Sequence, residues 1–264
     1  MSTRTPRIAS FGYHEVTDDP TMSGFQRPAA LPFKHTPRAF AEHLATVAAG
    51  PFVPGLIGDI DFTRPGRHVL LTFDDGGKSA VYVADQLSRR GWRGHFFIVT
   101  SLIGTRTFLD AADIRYLRSS GHVVGSHSHT HPDIFRDETP QRMIEEWRTS
   151  CGILADLLGE PCSIASVPGG DISTAVLRSA APAGLRYLFT SEPWTAPRQM
   201  NGTWILGRFG PKVGTSPARV GALVRFHGWQ SALLERRLKG VVRRSLPALY
   251  RFYVRRTTQD WVPQ

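Results

Sequence analysis

The run Val69-Leu70-Leu71-Thr72-Phe73-Asp74-Asp75-Gly76-Gly77 decides how the chain is read. Five residues suited to a buried strand lead into two adjacent carboxylates and then two glycines. Side chains alternate along a strand, so Asp74 and Asp75 cannot share one role in regular geometry. The glycines allow a sharp turn that leaves both carboxylates at the strand end. Charge in such a place needs a counter-charge or a cation. The chain supplies partners in Gly125-Ser126-His127-Ser128-His129-Thr130-His131-Pro132, which follows a second strand-like run at 122–125. One carboxylate with two imidazoles is a metal site with open positions.

Outward from these two clusters, strands and helices alternate. Strand patterns fall at 8–13, 69–73, 95–100, 122–125, 163–167, 185–190 and 203–209. Helical patterns begin at Pro37 and cover 78–90, 110–119, 137–158 and 173–181, while 16–37 reads as a long loop. His14, Asp74-Asp75, the histidine cluster and Pro168-Gly169-Gly170 each come directly after a strand. A β/α barrel gathers such positions on one catalytic face, whereas an open sheet gathers them at one switch point. The spread over several strand ends favours an α/β fold of the barrel type with about seven strands.

Composition bounds the rest. The 264 residues carry 41% hydrophobic and 20% charged side chains, ordinary for a globular protein. No run of about 18 apolar residues suggests a membrane span. The apolar run at 8–13 is too short for a signal-peptide core, which predicts a cytoplasmic protein. Two cysteines, Cys151 and Cys162, make no disulfide framework. The net charge of +10 is concentrated late: Arg219, Arg225, Arg236, Arg237, Lys239, Arg243, Arg244, Arg251, Arg255 and Arg256 stand against Glu235 alone. A rough apolar stripe runs through that stretch. It reads first as a helix packed on the domain with a solvated basic face. A second reading lays it on anionic membrane at the inner face, and nucleic acid ranks last. The expected division is a catalytic barrel over 1–215 and a basic helical extension over 216–264.

Leu71-Thr72-Phe73-Asp74-Asp75-Gly76 resembles the first motif of the polysaccharide deacetylases, the carbohydrate esterases that share the NodB homology domain. The run Gly121-His122-Val123-Val124-Gly125-Ser126-His127-Ser128-His129-Thr130-His131-Pro132-Asp133 is similar to their second motif, and the separation matches. The resemblance covers about 8–209. It implies a distorted, incomplete barrel and hydrolytic removal of acetyl groups from an acetylated glycan, either a polysaccharide or a lipid-linked precursor. It also implies that Asp74 is the general base and Asp75 a metal ligand. A sugar O-acetyl esterase and a non-catalytic glycan-binding module are the alternatives.

The chemistry agrees with that assignment. Hydrolysis of an amide needs an activated water, a polarised carbonyl and a proton for the leaving amine. A divalent ion held by Asp75, His127 and His131, zinc by default, serves the first two needs. His127 and His131 stand four apart, a spacing that converges if the segment turns helically.

Three departures from the family pattern bear on the remaining roles. The last strand, Trp204-Ile205-Leu206-Gly207-Arg208-Phe209-Gly210, lacks the histidine many members carry there. Tyr13-His14-Glu15, similar to a segment in a permuted subgroup, makes His14 the candidate general acid, with Glu15 as its supporting carboxylate and His227 as the rival. The third motif has Ser166 but no arginine to tether Asp74, although Pro168-Gly169-Gly170 could offer the Gly169 N–H to an oxyanion. Ser191-Glu192-Pro193-Trp194 lacks the aspartates of the fourth motif, and leaves Trp194 as a candidate to stack on a sugar face.

Overall fold

The computed structural model describes residues 5–170 and 172–258, with the side chains of 239–244 and 247 outside that description. The chain runs β1 (Arg7–Tyr13), β2 (Glu15–Val16), β3 (Lys34–His35), α1 (Pro37–Ala48), β4 (Arg67–Phe73), α2 (Ala80–Ser88), β5 (His95–Ile98), α3 (Ala111–Ser119), β6 (Val123–Ser126), α4 (Pro140–Leu158), β7 (Ile164–Ser166), α5 (Thr174–Ser179), β8 (Tyr187–Phe189), β9 (Arg198–Met200), β10 (Thr203–Leu206), α6 (Pro217–Val224), α7 (Trp229–Ser245) and α8 (Pro247–Thr257). Helix starts follow local chemistry. Thr36, Thr139 and Ser216 cap α1, α4 and α6 with their hydroxyls, each followed by a proline in the first turn.

The main sheet has eight strands in the order β1-β4-β5-β6-β7-β8-β10-β9. All neighbours are parallel except β9 and β10. The sheet curls back on itself. Beyond β10, Phe209 bridges Phe11, with Gly12 N donating to Phe209 O at 2.9 Å and Phe209 N to Ser10 O at 2.9 Å. The fold is a distorted α/β half-barrel. Its seven parallel strands correspond to those expected from the sequence. The eighth, β9, reaches β10 through Asn201-Gly202, both at positive φ (50° and 88°), the signature of a two-residue hairpin turn. That dipeptide was the available signal for it.

Strand β4 shows how alternation builds the barrel. Val69, Leu71 and Phe73 pack outward with Leu44, Val83, Leu87 and Ile114 in the largest core cluster. Leu70 points the other way, into an interior cluster with Ile8, Phe97, Ile164, Phe189 and Leu206. Thr72 and Asp74 continue that inner parity toward the strand end. The expected boundary at 215/216 is not a break in packing, because Val220, Leu223 and Val224 of α6 join the same core as β1 and β4.

Glu15 has a different place from the one expected. Its Oε2 accepts hydrogen bonds from Ser23 and Ser79, the latter at 2.6 Å, and Ser79 Oγ also receives Val16 N at 3.0 Å. The carboxylate thus pins the 17–26 loop to the start of α2 and does not support His14. Gly24 and Gly77 make the room, since a Cβ at either would lie 2.6 or 2.3 Å from Glu15 Oε1. Burial pushes the Glu15 carboxyl up from 4.5 to about 7, against the opposing pull of the two serines and Lys34. The fold therefore favours the neutral acid, and the stability this confers is complete below the ordinary glutamate range and lost as pH rises through about 7. Denaturant titration with a chelator present should show wild type losing on the order of 1–3 kcal/mol between pH 5 and pH 8 from this group. Glu15→Gln should flatten that slope. Identical slopes in the two proteins would refute the assignment.

Candidate active site

Asp74 and Asp75 leave β4 in opposite senses because the backbone turns left-handed between them. Asp74 N is held by Tyr13 O at 2.9 Å, while Asp75 has φ 74° and Gly76 φ 80°. A non-glycine residue at positive φ costs conformational energy, and such strain concentrates at functional sites. Both side chains are buried, 5% exposed.

The histidine segment reaches Asp75 without forming a helix. Ser128 and His131 both adopt positive φ, 66° and 53°. Ser126 Oγ accepts Ser128 N at 3.0 Å, and Ser128 Oγ accepts His131 N at 3.0 Å, so the loop coils on its own hydroxyls. Glu146 of α4 completes the support. Its carboxylate accepts His129 N at 2.8 Å, Thr130 N at 2.7 Å and Thr130 Oγ1 at 2.7 Å, and is paired with Arg142. Nothing in the sequence alone distinguished Glu146 from the other acids of its helix.

Among the described residues, Asp75, His127 and His131 form the one cluster with metal-ligand character, their donor atoms all within 4.8 Å of one another. His127 Nε2 lies 3.4 Å and His131 Nε2 3.8 Å from Asp75 Oδ1. Ligands on one tetrahedral zinc stand roughly 3.4 Å apart, so the donor set fits a single divalent ion with little adjustment. His127 is already in the tautomer such an ion needs, because Nδ1 donates to Ser166 O at 2.9 Å and leaves Nε2 free. His131 Nδ1 instead meets Arg27 Nη2 at 3.3 Å, a contact that ligation through Nε2 would open. His129 turns aside to Thr100 Oγ1 at 3.0 Å.

Electrostatics sorts the two carboxylates. Burial alone would raise both, but charged neighbours override it. Arg208 and His127 hold Asp74 below the usual carboxylate range, and His14, His127 and His131 do so for Asp75. Burial and the charge of His127 push His131 down to about 3, while Asp74 and Asp75 outweigh burial to raise His127.

Arg208 is the residue that sequence reasoning missed. Its Nη1 and Nη2 grip Asp74 Oδ1 and Oδ2 at 2.7 and 2.8 Å, and the same nitrogens reach Thr72 Oγ1 at 2.9 Å and Ser166 Oγ at 2.6 Å. Its Nε donates to Thr190 O at 2.9 Å. Ser166 Oγ closes the ring onto Asp74 Oδ2 at 3.1 Å. The arginine absent from the third motif is thus supplied just beyond the last strand, with a serine in its former place. A lone charge in an apolar strand, Ile205-Leu206-Gly207-Arg208-Phe209, was the available clue.

A cleft of about 390 Å³ opens over these groups. His14 lines it beside Asp74, Asp75, His127 and His131, its ring 4.6 Å from that of Phe33 and its Nδ1 without a hydrogen-bond partner. Burial lowers the His14 imidazole below its ordinary range against the pull of Asp75 and Asp74. His227 is exposed after α6 and lies outside the cleft. Gly169 lines the cleft at φ 62°, and Pro168 is buried behind it. Trp194 does not face the cleft. Its ring lies under Arg198, 4.0 Å from the guanidinium carbon, and packs on the β7–β8 core, so Pro193 forms the wall there.

Replacing Arg208 leaves burial as the main influence on Asp74, so the Asp74 pKa must rise. Arg208→Met should therefore shift the acid limb of any pH–rate profile toward alkaline pH and destabilise the fold by about 3–5 kcal/mol, as expected for a broken buried ion pair. Arg208→Lys restores charge but cannot span both oxygens, and should recover part of each loss. An unmoved acid limb in both variants would deny Arg208 this role.

Residues 62–188 match the polysaccharide deacetylase family. The peptidoglycan-N-acetylglucosamine deacetylase PgdA of Listeria monocytogenes is 23% identical over 181 residues, covering 66% of this chain and 38% of its own length. The chain thus spans well under half of that relative. Among solved structures, Streptococcus pyogenes deacetylase PplD, crystallised with acetate, superposes with a TM-score of 0.66 at 18% identity, covering 82% of this chain and 97% of its own. IcaB from Ammonifex degensii gives 0.66 at 20% identity over 83% and 97%. These likenesses bear on the fold. Residues 62–188, just under half of the chain, are the part that is similar to the polysaccharide deacetylase family.

Proposed function

We propose that the protein is a hydrolase that removes acetyl groups from N-acetylated sugars of a glycan. The observation that carries this reading is one buried cleft holding two unlike groups. The Asp75–His127–His131 cluster has the span of a single-ion site, and Asp74, a second carboxylate, is held apart from it by Arg208. The acetylated-glycan substrate is supported by the match of residues 62–188 to the polysaccharide deacetylase family and by the relative named for peptidoglycan N-acetylglucosamine.

A divalent ion on Asp75, His127 and His131, zinc by default, would polarise the acyl oxygen and make water acidic enough to attack at neutral pH. Asp74 acts as the general base. Its ionised form is secured by Arg208, and its Oδ2 lies 4.0 Å from His127 Nε2, so it faces the reacting region without joining the ligand set. Arg208 and Ser166 fix the carboxylate plane and leave it no freedom to turn toward the ion. His14, across the same cleft, donates the proton that the amine needs to leave, Asp75 and Asp74 favouring its charged form against burial. Phe33 and the cleft walls limit water around that imidazole. Gly169, which lines the cleft, would contact the acyl group from the β7 side.

Acetate release from N-acetylglucosamine oligomers, with metal content measured in parallel, tests the assignment. His131→Ala and Asp75→Ala should lose most bound metal and most activity. Asp74→Asn should keep the metal and lose about 10²–10⁴-fold in rate. Full metal occupancy in His131→Ala, or normal turnover in Asp74→Asn, would overturn the scheme.

His14→Ala should slow amide cleavage more than cleavage of an activated acetyl ester, whose leaving group needs no proton, and should abolish the alkaline limb of the pH–rate profile. Equal losses on the two substrates would reassign His14 to binding.

A further inference from the structure

Helices α7 and α8 follow one another with only Leu246 between them, and each has two unlike sides. The inner side is tied to the barrel. Trp229, Ala232 and Val254 are buried, Arg236 pairs with Glu192 at 2.8 Å and also reaches Gly170 O, and Arg251 pairs with Asp137 at 3.0 Å. Ala29 N donates to Thr257 O at 3.0 Å. This side supplies Ala232, Arg236, Tyr250, Tyr253 and Val254 to the wall of the cleft.

The outer side has the opposite character. Leu234, Leu238, Leu246, Leu249 and Phe252 are each between 51% and 61% exposed. Leu234 and Leu238 stand four apart on α7, and Leu249 and Phe252 three apart on α8, so each pair shares one helix face. Beside them Arg237, Arg255 and Arg256 are exposed. Between Trp229 and Thr258 the chain holds eight arginines and lysines against Glu235 alone.

We propose that this outer face docks on an anionic lipid surface, with the five apolar side chains entering the headgroup–acyl boundary and the arginines meeting lipid phosphates. Charge complementarity selects the occupant. A second copy of the chain would bring the same basic surface against itself. A nucleic acid would satisfy the arginines but gain nothing from five bulky apolar groups. An anionic bilayer satisfies both, and basic amphipathic helices bind it through this combination. The two helices would lie on the bilayer surface, and no helix among the described residues is long and apolar enough to cross a membrane. Because their inner side walls the cleft, docking brings the cleft close to the bilayer. Resting on the deacetylase reading, this makes a glycan carried on lipid the substrate class.

The test uses the full chain in co-sedimentation with phosphatidylcholine vesicles, with and without phosphatidylglycerol, at low and high salt. The expected result is at least about tenfold stronger partition onto anionic vesicles, weakened by salt. The double substitutions Leu249→Ser with Phe252→Ser, Leu234→Ser with Leu238→Ser, and Arg255→Glu with Arg256→Glu should each reduce it about fivefold or more at an unchanged melting temperature. The separate apolar pairs guard against misfolding of one. These variants should keep kcat/KM on soluble acetylated oligomers while losing it on vesicle-borne glycolipid. No partition at low salt, partition indifferent to the apolar pairs, or loss of self-association instead of vesicle binding would overturn the proposal. Vesicle binding without deacetylation of any substrate would sink the deacetylase reading and leave docking standing.

Discussion

A guanidinium inside the half-barrel organises the structure around it. Arg208 sits where an interior layer would otherwise be filled by aliphatic side chains, and removing two charges from water costs several kcal/mol per ion. The cost is offset only because every direction of the fork is used. Asp74 and Thr72 bind it from β4, Ser166 from β7, and the Thr190 carbonyl from just beyond β8. Gly12 of β1 completes the enclosure by having no side chain, since a Cβ there would lie 3.3 Å from the guanidinium. Four strands are thus required to meet at one height. That requirement sets the inner parity of Leu70, Thr72 and Asp74, and so turns Asp75 away toward the histidines.

The parts of this arrangement carried by local pattern were legible in the sequence. Alternation over 69–73, the Asp-Asp-Gly-Gly strand end and the histidine cluster specified the parallel strands, the barrel and the groups at its mouth. Interactions between distant segments were not. Arg208 and Asp74 are 134 residues apart and meet only through closure of the sheet between β1 and residue 209. Glu15 follows His14 in sequence, yet β2 turns its carboxylate to Ser23 and Ser79, a destination set by the 17–26 loop. Trp194 illustrates the same limit, because an aromatic near a cleft is equally suited to lie under an arginine. Strand β9 belongs to another category. Its Asn-Gly turn was visible, but two exposed polar residues and one half-buried methionine gave no apolar alternation to support it.

The histidine loop shows what spacing can and cannot predict. A separation of four suggested helical convergence, and the two imidazoles do converge, with ring centres 5.1 Å apart. They do so through left-handed residues at 128 and 131, which no helix contains. Such a loop is held by its partners. Glu146 takes two backbone amides and one hydroxyl, and Ser126 and Ser128 take one amide each. The ligand geometry is therefore fixed by α4 as much as by the motif itself. A buried acid with every oxygen engaged in this way holds a loop more firmly than any apolar residue of its size could.

The departures from the family pattern acquire a common logic once the barrel is seen end-on. The third strand end of the site, after β7, carries Ser166 where an arginine was expected, and the arginine comes from beyond β10. On the proposed reading, the proton donor expected near β10 comes instead from the end of β1. The Phe11–Phe209 bridge makes those two strand ends neighbours, so a group can pass from one to the other with little change in where its tip lies. Arg208 occupies the inner position at the end of the last strand, and a histidine there would compete with it for the same volume. On that reading, an arginine on the last strand leaves the histidine to enter from another, and β1 is the adjacent strand end that carries one. If His14 is the proton donor, the two departures are one rearrangement, linked by the space that a buried guanidinium requires.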